Sequence, residues 1–189
     1  MTSLMKRSVF AVVLALAAVG CGDTSGQSPT RLVINSLNAT GASGSGGVLE
    51  SDVKTGGSTF ADTGSVTFGL IMRDQTNPSP TDLNQVTMTR YHVAYRRTDG
   101  RNVQGVDVPY AFDSAFTVTV PAGGSGSVGF ELVRITAKDE APLKALAVNG
   151  DVIYAIAEVT FYGRDVSGND VSASGTIGIT FANFADAAK

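Results

Sequence analysis

Apolar residues occupy every second position in several long runs of this chain, and clusters of Gly, Pro, Asn, Asp and Ser separate the runs. In residues 65–72 one side of the run is apolar and the other carries Ser and Thr, and the same holds for residues 116–120, 153–161 and 171–181. Because successive side chains of a strand point to opposite faces, such runs place one face on a core and the other in water. The pattern predicts an all-β protein with antiparallel sheets.

The alternation slips by one position in two of the runs, between residues 88 and 91 and again between residues 132 and 133. A one-residue slip is what a β-bulge produces, or a strand that changes sheets. Residues 139–147 give the one helical pattern, with a Pro in the position that a first helical turn tolerates. We therefore expect bent strands and, beside them, one short helix.

The first twenty residues have the layout of an export signal. Lys6 and Arg7 precede an uninterrupted apolar stretch at residues 9–19, as in a secretory signal peptide. As a helix, this stretch would reach about 16 Å, against roughly 30 Å for a bilayer core. It is too short for a stable transmembrane anchor, so we expect it to be removed.

The sole cysteine of the chain, Cys21, follows this stretch directly. Ala18-Val-Gly-Cys21 resembles the bacterial lipobox, with Ala in place of the usual Leu; the alternative is a stray thiol beside an ordinary cleavage site. The resemblance implies that Cys21 is acylated and becomes the new N-terminus, and several acyl chains anchor a protein stably. Gly22, where an Asp favours inner-membrane retention, points by the same resemblance to the outer membrane. Residues 1–20 are thus predicted to be a lipoprotein signal peptide, residues 21–30 a lipidated flexible tether, and residues 31–189 a single β-sandwich domain.

Composition excludes several function classes. Without residues 1–20 the formal net charge changes from −3 to −5, since Lys6 and Arg7 are lost and no acid is. An acidic chain without a basic run does not bind nucleic acid phosphates. Once Cys21 is acylated, no thiol is left for a disulfide or a thiolate metal site. His92 is the only histidine, which counts against a paired-His zinc site or a His-based triad. No cofactor is predicted.

Two segments resemble known β-sandwich families. Residues 90–100 (RYHVAYRRTDG) are similar to the third strand of fibronectin type III domains. Residues 159–179 (VTFYGRDVSGNDVSASGTIGI) are similar to the last hairpin of bacterial Ig-like domains. The resemblance implies an Ig-like or fibronectin type III-like sandwich and, by extension, a spacer, adhesion or partner-binding role. It transfers no catalytic residue.

Arg96, Arg97 and Arg101 flank an Asp-Gly turn and form the densest basic cluster after the signal peptide. Such a cluster is suited to an acidic partner or an anionic headgroup, although charged hairpin tips also keep sheet edges from aggregating. Tyr110, beside a proline, is expected on an exposed loop and available for a contact. These four residues are the candidate partner-binding set.

Two other groups of residues could form a metal site or a catalytic site. Asp165, Asn169 and Asp170 could offer oxygen ligands to Ca²⁺, yet a plain turn uses the same residue types. Glu131 and Glu158 lie in strands and could form a glycosidase carboxylate pair if they were adjacent across a sheet. Glutamates on the solvent face of strands are ordinary, so no catalytic residue is predicted.

The sequence therefore predicts an envelope lipoprotein, held to the outer membrane through Cys21, that acts without catalysis as a structural or protein-interaction module. Its partner is expected to be another envelope protein. Two alternatives stay open: a carbohydrate- or small-ligand-binding module, and a hydrolase using paired carboxylates. Fold class cannot decide among them, because function resides in sites placed on folds.

Overall fold

The computed structural model describes residues 27–41, 44–76 and 79–184. Their strands and helices, in chain order, are β1 (Thr30–Gly41), β2 (Gly44–Gly46), β3 (Val48–Asp52), β4 (Asp62–Met72), β5 (Val86–Arg97), β6 (Phe112–Val120), β7 (Ser125–Val133), α1 (Ile135–Lys138), α2 (Leu143–Asn149), β8 (Ile153–Asp165) and β9 (Asp170–Ala182), with one 3₁₀ turn at Asp82–Asn84. The strands form two sheets, ordered β2-β1-β4-β7 and β3-β9-β8-β5-β6.

This strand order is that of an Ig-like sandwich. β1, β4 and β7 take the places of strands A, B and E, while β5, β8 and β9 take those of C, F and G. The predicted all-β sandwich is confirmed, with two refinements. β3 pairs with β9 in parallel, so the sheets are not antiparallel throughout. The helix predicted at residues 139–147 corresponds to α2, which begins at Leu143, and α1 at Ile135–Lys138 was not predicted.

Both slips in the alternation are β-bulges. β5 shifts register between Met88 and Arg90 against both of its neighbours, and Leu132 is the extra residue of β7 opposite the start of β4. The second bulge leaves backbone groups that the ladder does not satisfy. Tyr hydroxyls of the opposite sheet satisfy them: Tyr95 donates to the Leu132 carbonyl at 2.7 Å, and Tyr91 accepts from the Glu131 N–H at 3.0 Å. These two bonds join the sheets across the core.

Aromatic rings fill the middle of the sandwich. The Tyr91 ring packs against Phe130 and Phe161, with ring centroids 5.4 and 6.3 Å apart, and Phe68 meets Phe161 edge-on at 5.1 Å. Such edge-to-face pairs add to the free energy gained from burying apolar area. The alternating apolar faces of β4, β8 and β9 supply most of the remaining core.

The two ends of the sandwich differ in what they carry. Thr30 at the start of β1 pairs with Met72, and Val86 pairs with Asp165, so the β8–β9 turn lies at the end where β1 begins. We call this the tether end. At the opposite end, the helix end, lie the β5–β6 loop and both helices, because β5 and β7 finish there and β8 starts there.

The chain is already packed at Ser28, which is 2% exposed, as is Thr30 at 1%. The Arg73 N–H donates to the Pro29 carbonyl at 2.9 Å, and its Nε donates to that of Ser28 at 2.9 Å. These contacts fix the direction from which the N-terminal segment reaches the domain. In the part of the chain that is described, no helix is long and apolar enough to cross a membrane.

A buried ion pair holds α1 on the sheets. Lys138 is 3% exposed, and its Nζ lies 2.9 Å from Asp62 Oδ2 and donates to the Asp52 carbonyl at 2.8 Å. Ser51 donates to the same Asp62 oxygen at 2.6 Å. Burial raises the pKa of Asp62 above its ordinary 3.8, while Lys138 and Ser51 act to lower it. This cluster was not predicted. Lysine is almost never buried unless it is paired, and the sequence alone does not show which groups lie beside Lys138.

Candidate functional site

The β5–β6 hairpin tip organises its arginines around Asp99. Gly100 adopts φ +86, a conformation that favours glycine, and this turns the chain so that residues 97 and 101 both reach back. Arg97 and Arg101 contact Asp99 Oδ2 at 2.8 and 3.0 Å. The backbone N–H of Arg101, followed by both guanidinium groups, lowers the pKa of Asp99. The tip thus carries two cations for one carboxylate.

A groove of about 440 Å³ separates this hairpin tip from α2, and we call it the helix-end groove. Arg97 and Arg101 line one side. The other side is largely apolar and consists of Pro142, Ala145, Leu146, Val152 and Ile153, with Asn149 and Asp151 at the rim. Two carboxylates, Asp99 and Asp151, accompany the two guanidinium groups here, and the arginines could still donate charge-assisted bonds to the carboxylate of a partner that packs an apolar side chain against this wall.

The other two predicted contact residues lie outside this groove. Arg96 points to the outer face of its sheet, where its guanidinium lies 3.1 Å from Glu158 Oε1. Tyr110 is 52% exposed, as expected for a loop residue. Its hydroxyl lies over Gly105, at a spot 2.3 Å from where a Cβ would be. The structure therefore brings together two of the four predicted residues.

The residues considered for Ca²⁺ form a bonded turn. Asp165 accepts from both the backbone and the side-chain N–H of Asn169, each at 2.9 Å. Asp170 lies 2.7 Å from the Nε of Arg164. Burial acts to raise the pKa of Asp165, but bonds from Asn169, Ser28 and Ser167 outweigh it and lower the pKa. Across residues 27–41, 44–76 and 79–184, no group of three His, Cys, Asp or Glu side chains is placed to hold a metal ion.

The two glutamates weighed as a carboxylate pair belong to different sheets: Glu131 lies on β7 and Glu158 on β8. They are therefore not neighbours across a sheet, which the pair hypothesis required. His92 lies on the outer face of β5 with its Nδ1 3.2 Å from Asp113. Cys21, the predicted lipidation site, lies outside the described residues.

Another groove, of about 480 Å³, lies on the outer face near the tether end. Its arginines already have partners: Arg90 stacks 4.2 Å over the Tyr162 ring and contacts Asp113, and Arg164 contacts Asp170. Because each positive charge is matched by a carboxylate, this surface offers little net attraction to a charged ligand.

Sequence reasoning missed the helical side of the helix-end groove. The hairpin tip and α2 are more than forty residues apart in the chain, and neither segment has a sequence pattern that predicts their contact. The structure leaves Val148 of α2 and Val152 exposed at this end.

Comparisons with known proteins assign no family. No protein-family model matches the sequence, and no curated protein matches it significantly. One solved structure, the Northeast Structural Genomics Consortium target SoR45, is similar at 12% identity over 82% of this chain and 86% of that one, with a TM-score of 0.37. MtrC from Shewanella baltica OS185 is similar at 12% identity and a TM-score of 0.25, with 85% of this chain spanning 23% of that one. The class of this chain, an all-β sandwich, follows from its own two sheets.

Proposed function

We propose that this chain is an envelope lipoprotein, anchored in the outer membrane through Cys21, whose Ig-like domain works without catalysis as a protein-interaction module. The helix-end groove is the observation that carries the proposal. It joins Arg97 and Arg101 to an apolar wall at the end of the sandwich opposite the tether. A domain anchored at one end presents the other end to partners.

The groove's chemistry defines the partner. An apolar wall beside two arginines that share one carboxylate is suited to a protein segment with an exposed apolar side chain next to an acidic group. Arginine, together with tryptophan and tyrosine, is enriched among the residues that contribute most to binding in protein interfaces. The envelope protein bound here would therefore present an acidic-apolar segment.

The test is a crosslinking pull-down from native membranes with four forms of the chain. The wild type is expected to sediment with the outer membrane and retain a defined protein. Cys21→Ala should lose the membrane, and Arg101→Glu should keep the membrane but lose the protein. Arg164→Glu makes the same charge reversal at the tether end, where the side chain is exposed, and should behave like the wild type. Membrane attachment without Cys21, or equal retention by Arg101→Glu, would refute the proposal.

One observation favours carbohydrate binding as a second candidate. Tyr154 is exposed on the outer face of β8, where it pairs with Thr180 of β9. The next pair on this face is Ile156 with Gly178, and the glycine has no side chain that could cover the tyrosine ring. An accessible tyrosine ring flanked by hydroxyls can stack on a sugar. Specific glycan binding that Tyr154→Ala abolishes and Tyr110→Ala leaves intact would favour this candidate, and an array without specific binding would remove it.

A further inference from the structure

Another groove lies between β1 and β9 at the tether end and holds about 440 Å³. Arg31 and Arg73 line it together with the hydroxyls of Ser172 and Ser174 and the apolar residues Leu32, Val33, Ile34 and Ala173. No acidic residue lines it. We call it the tether-end groove.

Arg31 lies on β1, and Arg73 directly follows the end of β4. Arg31 pairs with Ile71 across the β1–β4 ladder, and Arg73 lies two residues beyond Ile71, so both arginines extend from the same face of the sheet. Neither forms an ion pair with a carboxylate among the described residues. Arg73 uses its Nε on the Ser28 carbonyl. Among the described residues, the two arginines of the tether-end groove thus form no ion pair, whereas the arginines of the helix-end groove and of the outer-face groove each contact a carboxylate.

Its position relative to the N-terminal segment gives the occupant. The chain is packed at Ser28, whose carbonyl Arg73 contacts, and seven Cα–Cα steps lead from Cys21 to Ser28. Fully extended, they reach about 23 Å. A lipid on Cys21 therefore keeps this end of the sandwich close to the membrane surface. Ile71, which is exposed between the arginines, adds apolar area at the same place.

We propose that the tether-end groove binds the phosphate headgroup of an anionic phospholipid and sets the orientation of the anchored domain. A guanidinium matches a phosphate with two parallel N–H bonds, and hydroxyls such as that of Ser172 supply further donors. The inference rests on the lipid anchor of the proposed function. It adds that the membrane is recognised by the folded domain as well as by the acyl chains, so that the helix-end groove points away from the bilayer.

The test measures headgroup binding by the folded domain without its anchor. The full chain carrying Cys21→Ala is titrated with vesicles of phosphatidylcholine alone and with vesicles that also contain phosphatidylglycerol. The measured quantity is the affinity for the vesicles with phosphatidylglycerol divided by the affinity for the vesicles without it. Binding that does not depend on the headgroup cancels in this ratio. Arg31→Gln with Arg73→Gln should lower this ratio roughly 25-fold, and Arg31→Gln alone about fivefold. The single variant guards against misfolding of the double variant, since Arg31 is exposed and its side chain forms no ion pair with the described residues.

Lys54→Gln with Lys144→Gln is the matched control. It removes the same charge from exposed positions at the helix end and should change the ratio less than about twofold, because those charges lie beyond a Debye length from the bilayer. An equal loss in both double variants would mean general charge attraction and overturn the inference, as would a ratio near one for the unsubstituted chain. Displacement by millimolar inorganic phosphate at constant ionic strength would make free phosphate the occupant and also overturn it. None of these outcomes bears on partner retention or Cys21-dependent sedimentation, so failure here is distinguishable from failure of the proposed function.

Discussion

Lys138→Met tests whether the buried cluster holds the helix end in place. The substitution keeps the length of the side chain but removes the ammonium group that contacts Asp62 and the Asp52 carbonyl. The side chain of Asp62 is 13% exposed, and Ser51 alone cannot compensate its charge. Removing one partner of a buried ion pair costs about 3 to 5 kcal/mol, which corresponds to a melting temperature lower by roughly 10 °C in a domain of this size. Lys144→Met on the exposed face of α2 should cost less than about 0.5 kcal/mol.

The pH dependence separates this mechanism from simple loss of packing. Burial raises the pKa of Asp62, and Lys138 is the largest influence that lowers it, so the pKa rises further in the variant. The folded variant then takes up a proton as the pH falls through this raised pKa. The loss of unfolding free energy relative to the wild type is therefore complete near neutral pH and becomes smaller at acidic pH. Urea unfolding followed by circular dichroism at neutral and acidic pH measures both values. A cost below about 1 kcal/mol, or one that is equal at the two pH values, would refute the reasoning.

Three further predictions concern the sheets. Gly163→Ala should cost about 2 to 3 kcal/mol, because the new Cβ would lie 2.4 Å from the Thr87 carbonyl oxygen, whereas Gly129→Ala, with its nearest atom at 3.8 Å, should be close to neutral in the same unfolding assay. Tyr95→Phe should cost about 1 to 2 kcal/mol by leaving a buried β7 carbonyl without its donor; an unchanged unfolding midpoint would contradict this. Asp165→Asn should cost about 1.5 to 3 kcal/mol near neutral pH. Because hydrogen bonds lower the pKa of Asp165, that cost should decline as the pH falls below about 4, and a cost constant from pH 7 to pH 3 would count against the assignment.

The long strands could be predicted from sequence because their alternation is a local signal. β9 alternates without interruption, and even the bulges in β5 and β7 appeared as phase slips. β2 and β3 could not be predicted in the same way. They are three and five residues long, and β3 is held by parallel pairing to β9, some 130 residues away. Only the closed sandwich defines such a strand.

The sites divide along the same line. Arg97 and Arg101 were found because they are close in sequence and their charge density is visible there. Arg31 and Arg73 were missed because more than forty residues separate them, and only the β1–β4 ladder brings them to one face. The burial of Lys138 was missed for a related reason, since its acceptor atoms come from β3 and β4. Such contacts across the core can be identified only once the fold is known.

Site-specific photocrosslinking in native membranes tests the central claim most directly. A photoreactive residue at Ala145, in the wall of the helix-end groove, is compared with one at exposed Thr117 on β6, both in the wild-type background and with Arg101→Glu. We predict one defined protein adduct from position 145 that requires Cys21 and Arg101, and no such adduct from position 117. Identical adducts from both positions, or an adduct at 145 that persists in Arg101→Glu, would contradict an anchored module that binds its partner through this groove.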